Sequence, residues 1–411
     1  MIPIFPLVAL TVLASVQITT RTVTPVLETR AVLDMPAAAA PTDTPANTPT
    51  DTPANTPVKV RLGDADDPAI WLHPKNPSLS LVAGALKEGG LEVYDLQGQV
   101  LQSLNPEGVR YNNVDVVYSF PLGNELVDLL VASDRYLDNL AVYAIDSETR
   151  RVRDVSDPQA PLIFTPEGQV SDEETTAYGL ATYQDPASGE FYAFVSRRET
   201  NQVAQLRLLG NDGVVGWKTV RTVTLPLPEG FDGDNPQVEG MVVDSELGFA
   251  YLAQEQVGIW KLAADPEGGE PVLIHPVDDD LLTADAEGLT LYFGPAGTGY
   301  LLASSQGSST FAVFSREGEN RYLGSFAVGA RGGVDVTDES DGAVVLNVPL
   351  GKRFPHGLLV VHDGLNAPEV LFEDDGESEN VSTNFKYVPW ERVARAFSPP
   401  LRIETGSHGL R

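Results

Sequence analysis

From Glu239 to Leu262 the sequence runs EGMVVDSELGFAYLAQEQVGIWKL. A polar residue and a glycine open it, an aliphatic run follows, and an aromatic-aliphatic strand, VGIWKL, comes last. The opening recurs as Asp67-Pro68 before AIWL, Asn113-Val114 before DVVY, Tyr178-Gly179 before LATY, Glu287-Gly288 before LTLY and Asp341-Gly342 before AVVL. The closing strand recurs as LEVYDL, LAVYAI, VAQLRL, FAVFSR and GLLVVH. These six pieces start at Leu91, Leu140, Val203, Val257, Phe311 and Gly357, so successive starts differ by 49, 63, 54, 54 and 46 residues. Six matched units of alternating strands, with turn signals between them and no long amphipathic helix, predict an all-β fold, a six-bladed β-propeller of four-stranded antiparallel sheets. The alternative is a β-sandwich or barrel with a second domain, which six matched units argue against.

Outward from the repeats, the propeller is expected over residues 58–397, with a C-terminal tail at 398–411. Residues 37–57 repeat PTDTPANT and offer no large apolar side chain to a core, as in an extended Thr/Pro-rich linker. Residues 1–36 read as a signal peptide or N-terminal hydrophobic segment with a short spacer, because IPIFPLVALTVLASVQITT at 2–20 has signal-peptide or short-anchor length. Secretion, to the exterior or the periplasm, is expected, with an N-terminal membrane anchor as the variant.

The chain has no cysteine and five scattered histidines, which excludes disulfides and thiolate sites and argues against a zinc centre. His73, His275, His356, His362 and His408 show no paired spacing, and none is assigned a catalytic role. A formal charge of −31 excludes nucleic acid as a partner. The acidity serves solubility, a carboxylate cluster for hard cations, or both. Neither a Gly-x-Ser-x-Gly elbow nor a P-loop is present.

In a propeller the first strand of every blade lies nearest the axis, so the starts of these strands meet at one end. That brings Asp67, Glu239, Glu287 and Asp341 together, with Asp66, Asp115 and Asp285 beside them. Carboxylates so close repel unless a cation lies between them, and calcium accepts six to eight oxygen ligands. The ends of the next strands add Lys87, Arg135, Arg198, Glu199, Glu255 and Gln306, and the cations among these suit phosphate oxygens. Position by position, an acidic residue before glycine is also an ordinary turn residue. The recurrence across units is what favours a site.

The segments DADDPAIWLHPKNP (Asp64 to Pro77), GLEVYDLQG, YNNVDVVYSF, VEGMVVD, DAEGLTLYF, YLLASSQGSSTFAVFSREGEN and NFKYVPWERVA resemble the β-propeller, or alkaline, phytases over nearly all of residues 60–397. The resemblance implies a calcium-dependent phosphomonoesterase of the 3-phytase type. It would hydrolyse phytate, myo-inositol hexakisphosphate, with metal-activated water, cleaving one phosphate while an adjacent subsite holds a neighbour. It further implies several Ca2+ ions bound by Asp66, Asp67, Pro68 and Val114 through their carbonyls, Glu239, Glu255, Asp285, Glu287, Gln306 and Asp335. Lys87, Arg135, Tyr178, Arg198, Glu199 and Asp341 would contact substrate, and Lys87, Arg135, Tyr178, Glu199 and Glu239 would carry catalysis. Glu88 stands where many members have a second Lys, Arg198 replaces a Lys, Gln254 replaces a Glu, and the Glu upstream of the first strand has no clear counterpart.

The expected partner is phytate or calcium-phytate, since bound calcium lets so acidic a protein accept a polyanion. A monomer is expected. Two rivals remain at this stage: a calcium-dependent propeller hydrolase of another class, such as a lactonase, which has no need of the Lys/Arg pair, and a non-catalytic propeller that uses calcium only to stabilise its channel.

Overall fold

Each recurring opening forms the innermost strand of a four-stranded antiparallel sheet. These strands are Ala65–Trp71, Tyr111–Leu122, Ala177–Gln184, Val238–Asp244, Ala286–Phe293 and Ala343–Leu346. Each lies against the next, and the sixth lies against the first, so the six sheets close a ring as a six-bladed β-propeller. The computed structural model describes residues 20–33 and 63–406, apart from Asp232, Asp234, Asp279, Asp375 and Gly376. The expected linker at 37–57 and all but Thr20 of the apolar stretch at 2–20 lie outside the described residues. Among the described residues no helix is long and apolar enough to cross a membrane.

Alternation along the strands sends apolar side chains into the spaces between blades. Phe120 and Val131 of the second blade pack with Phe191, Val195 and Trp217 of the third. Burying each such side chain contributes roughly 1.5–3 kcal/mol. The middles and far ends of all six inner strands line an axial cavity of about 560 Å³ that includes Ile70, Val117, Tyr183, Val243, Leu291 and Val345.

The sixth blade departs from the simple repeat. Its strands are Ala343–Leu346, Leu358–Asp363, Ser382–Pro389 and, outermost, Leu27–Glu28 from the N-terminal end, where Leu27 pairs with Tyr387 and Glu28 with Lys386. Val32–Leu33 pairs with the same third strand, and Arg21–Val23 runs parallel to the outer strand of blade five. Residues 21–33, which the sequence reading leaves in the N-terminal segment, are therefore built into the propeller. Leu27, Val32 and Leu33 bury their side chains there, and strands of two or three residues carry no readable periodicity. At the other end Leu401 is buried and Arg402 N donates to Tyr300 Oη at 2.9 Å, so the folded body continues past Phe397.

The closing pieces also differ in rank. LEVYDL, LAVYAI, VAQLRL, VGIWKL and FAVFSR fall on third strands, whereas GLLVVH falls on a second strand. In blade six an excursion carrying the hairpin Leu371–Asp374 and Glu377–Asn380 delays the third strand to Ser382. This excursion displaces NFKYVPW from the repeat spacing.

Candidate active site

The inner strands share a local irregularity at their starts. In blades one to five the pairing with the second strand slips by one residue, between Ala65 and Pro68, Tyr111 and Val114, Ala177 and Leu180, Val238 and Met241, and Ala286 and Leu289. Each slip is a β-bulge, which leaves two residues opposite one and re-aims the side chains between. The residues in the bulges are Asp66-Asp67, Asn112-Asn113, Tyr178-Gly179, Glu239-Gly240 and Glu287-Gly288.

The glycines are there because the strands crowd together. A Cβ at Gly179 would collide with the Glu239 carbonyl, one at Gly240 with the Glu287 carbonyl, and one at Gly288 would come within 2.6 Å of the Asp341 carbonyl. A Cβ at Gly342 would lie 2.5 Å from Asp67 Cα. Tyr178-Gly179 and the three acid-glycine pairs are thus a packing chain around the axis rather than independent surface turns.

Glu239, Glu255 and Glu287 are buried, and one carboxylate oxygen of each lies within 4.8 Å of the others. Burial first, then Asp341, raises the Glu239 pKa. Burial and then Glu239 raise Glu287 well above the carboxylate range, and the same two influences push Glu255 up to about 9. Burial also pushes up Asp66 and Asp67, and Asp285 more mildly. Neither oxygen of the fully buried Asp66 has a hydrogen-bond partner, nor does Glu287 Oε2. Buried, unpartnered carboxylate oxygens in an all-oxygen donor set fit a hard divalent cation such as calcium.

Neighbouring groups orient this cluster. Tyr178 Oη donates to Glu239 Oε2, Asn112 Nδ2 donates to Glu239 Oε1 at 3.0 Å, and Arg135 donates to Asn112 Oδ1 at 3.0 Å. The Arg135 guanidinium also lies over the Tyr178 ring, 5.1 Å from its centroid. Burial, then Glu239, holds the Tyr178 phenol well above its ordinary pKa, so it remains a donor. Glu255 accepts from Gln237 Nε2 at 2.7 Å and from Asn235 Nδ2 at 2.9 Å.

Lys87 stands among three acids, with Nζ 3.0 Å from Asp64, 3.2 Å from Asp341 and 3.8 Å from Asp66. Burial pulls its pKa down, but Asp64, Asp66 and Asp341 outweigh that and hold it well above the lysine range. Its side chain keeps 17% exposure, enough to meet a ligand at the mouth. Asp341 also accepts from Gln306 Nε2 at 2.6 Å, and Asp67 Oδ2 accepts the Val114 amide at 3.2 Å, beside Pro68.

Not every expected residue joins this group. Asp285 lies at its edge, its carbonyl accepting from Gln306 N at 2.9 Å. Arg198 and Glu199 pair on the rim at 2.9 Å, and the Glu199 amide donates to Gln237 Oε1 at 2.8 Å. Asp335 lies apart, 2.6 Å from Lys386 Nζ, which also meets Asp363 at 2.6 Å. Asp115 faces the axial cavity and accepts from Thr182 N and Oγ1 at 2.7 and 2.8 Å. Sequence reasoning missed Asp64, Asn112, Asn235, Gln237 and His362. The signal for Asn112 was present in YNN at an inner-strand start, and Asp64 stands two residues before Asp66.

Comparison with known proteins bears on this geometry. The sequence profile of the family described as Phytase matches residues 14–406. The 3-phytase of Bacillus subtilis (strain 168) is 38% identical over 335 residues, which cover 80% of this chain and 80% of that protein. Solved structures give weaker likenesses. Chaetomium thermophilum Sqt1 is 13% identical over 73% of this chain and 82% of its own, with a TM-score of 0.43. A chain of a nidogen/laminin complex is 10% identical over 76% and 94%, with a TM-score of 0.42. Neither carries an argument at those scores.

Proposed function

The chain belongs to the phytase family, and from that premise we propose that it is a calcium-dependent phytase whose cleavage site is the ring of inner-strand starts. Removal of phosphate from phytate is the activity of the family. The observation that carries the calcium-dependent reading is the juxtaposition of the Glu239, Glu255 and Glu287 carboxylates with Lys87 and Arg135 at one end of the axis. A ring of acids alone would repel a polyphosphate, and a pair of cations alone would have no need of so many buried acids.

Glu239, Glu255, Glu287, Asp66 and Asp67 would hold calcium, with Asp285 and Gln306 at the edge. When bound, calcium would supply charge neutralisation and acidification of water. The chain's own groups do the remaining work. Lys87, kept protonated by its three acidic neighbours, offers donors to an equatorial phosphate oxygen. Arg135 is held in place by Asn112 and the Tyr178 ring, so its remaining N–H groups are preorganised for a phosphate. Tyr178 fixes the rotamer of Glu239 through its hydrogen bond. Arg198 and Glu199 on the rim would contact the neighbouring, uncleaved phosphate. The apolar stretch at 2–20 supports an exported protein.

The test is inorganic phosphate release from phytate by the purified protein, with calcium and with chelator, alongside its melting temperature. Release only with calcium is the expected result. Calcium-raised melting without release from phytate would sink the catalytic reading, and chelator-resistant release would sink the metal assignment.

A further inference from the structure

The six blades offer an internal comparison at the residue of the second strand that faces each inner-strand start. In blades two, three and five this residue is Ser133, Ser196 and Ser304. Ser133 Oγ accepts the Asn113 amide at 3.2 Å and donates to the Tyr178 carbonyl of the next blade. Ser196 Oγ accepts the Gly179 amide at 2.8 Å and donates to the Val238 carbonyl. Ser304 Oγ donates to the Ser340 carbonyl at 2.7 Å. Blades one and four have Ala85 and Ala253 there.

Blade six has His362. Ala343 pairs with Val361, which sets His362 beside Gly342 and Asp341. The His362 main-chain amide donates to the Gly342 carbonyl at 2.9 Å, and its Nδ1 accepts the Asp341 amide at 3.0 Å. The imidazole thus takes over the acceptor role that Ser133 and Ser196 play and grips the backbone of Asp341, whose carboxylate holds Lys87 at 3.2 Å and Gln306 at 2.6 Å. The ring is buried at 2% exposure, and its Nε2 has no hydrogen-bond partner. Because Nδ1 accepts an N–H, the proton of the neutral ring sits on Nε2. Burial, the largest influence, holds the imidazole below its usual range against the upward pull of Asp341 and Asp64, in keeping with a neutral ring.

We propose that His362 is a positioning residue of the cleavage site: as a neutral acceptor it fixes the Asp341 backbone, and through the Asp341 carboxylate it sets Lys87 against the phosphate to be transferred. It touches no substrate itself. The serine-bearing blades position carbonyls and bulges, whereas blade six positions a side chain that must carry a cation. A planar ring wedged between strands gives that amide one direction of approach, where a hydroxyl would rotate.

This inference rests on the phytase reading, and the experiment separates the two. Wild type, His362→Asn, His362→Leu, Asp341→Asn and the double variant His362→Leu/Asp341→Asn are compared for kcat and KM on phytate with saturating calcium, and for melting temperature. Asn keeps an acceptor near the Nδ1 position, and Leu keeps bulk without one. The expected result is a kcat for His362→Leu lowered about tenfold with KM within twofold, largely restored in His362→Asn. In the Asp341→Asn background, His362→Leu should lower kcat less than twofold, because the two residues act in one line. Unchanged kcat in His362→Leu, no rescue by Asn, or full additivity in the double variant would each overturn the proposal while leaving the phytase reading intact. A wild type inactive on phytate would overturn both.

Discussion

Glu239 and Asp244 sit five residues apart on one strand, and both are buried acids, yet their surroundings are opposite. Asp244 meets Arg316, a fully buried guanidinium, at 2.5 and 2.6 Å, and Arg316 is completed by Glu246 at 2.8 Å, the Thr298 carbonyl at 3.2 Å and the Phe293 ring beneath it. Glu239 has no guanidinium on its carboxylate. It receives one phenol and one amide hydrogen, and Glu255, Glu287, Asp66 and Asp341 surround it. One acid is neutralised from within the chain, and the other is the one for which a cation from outside is proposed. The difference separates a strand end built to hold blades together from one built to receive a ligand.

Four measurements break or sharpen this contrast. The largest effect is expected from Arg316→Met, which leaves Asp244 buried without a partner. Chemical denaturation should show a loss of about 3–5 kcal/mol, with activity per folded molecule retained. Lost activity at unchanged stability would place Arg316 in the site instead. Next, Lys87→Met should lower kcat on phytate by roughly 10²–10³-fold while the calcium-loaded protein keeps its cooperative melt. A kcat within threefold of wild type would remove Lys87 from the phosphate subsite.

The third measurement is the melting temperature of the metal-free protein as a function of pH. Glu255 has a folded pKa of about 9 against an ordinary 4.5, so between those values the folded state keeps a proton that the unfolded state has released. Its contribution is full below pH 4.5 and is lost as pH rises toward 9. The melting temperature in chelator should therefore fall across that window, and calcium should flatten or reverse the fall. A chelated protein that grows more stable up to pH 9 would contradict the buried cluster. The smallest effect is expected at Glu88, which pairs with Arg110 at the mouth and is partly exposed. Glu88→Lys should alter stability by less than about 1 kcal/mol and lower KM for phytate a few-fold by adding a cation. A raised KM would show that Glu88 itself serves the substrate.

The inner strands were legible because a polar residue, often with glycine or proline after it, and an aliphatic run form a purely local pattern, and five of the six third strands were legible through an aromatic or aliphatic stripe. The sixth was not, since the excursion before Ser382 moved it away from the expected spacing. The convergence of Asp66, Asp67, Glu239, Glu287 and Asp341 with Lys87 and Arg135 followed from topology alone. What the bulged glycines pack against did not, because Gly240 meets Glu287 across two blades and no local pattern encodes that approach. Asn112 and His362 were passed over for a related reason. Both are neutral or solitary in the sequence, and they matter only through Glu239 and Asp341, partners far along the chain. Asp335 shows the converse: the resemblance implies a ligand there, and its surroundings, with Lys386 Nζ at 2.6 Å, could be read only from the fold.

The clasp of blade six has a consequence for how the ring is made. Asn384 Nδ2 reaches Glu28 at 3.3 Å across 356 residues of chain, whereas within blades one to four neighbouring strands follow one another directly. Contacts of such separation form late, because a long loop must close before they are rewarded. The first strand residues to be made are therefore among the last to be placed. Until they dock, Ser382–Pro389 presents a bare strand edge that a second chain can pair with. In any state in which Leu27–Glu28 is undocked, that edge is where the molecule is open to strand exchange between copies.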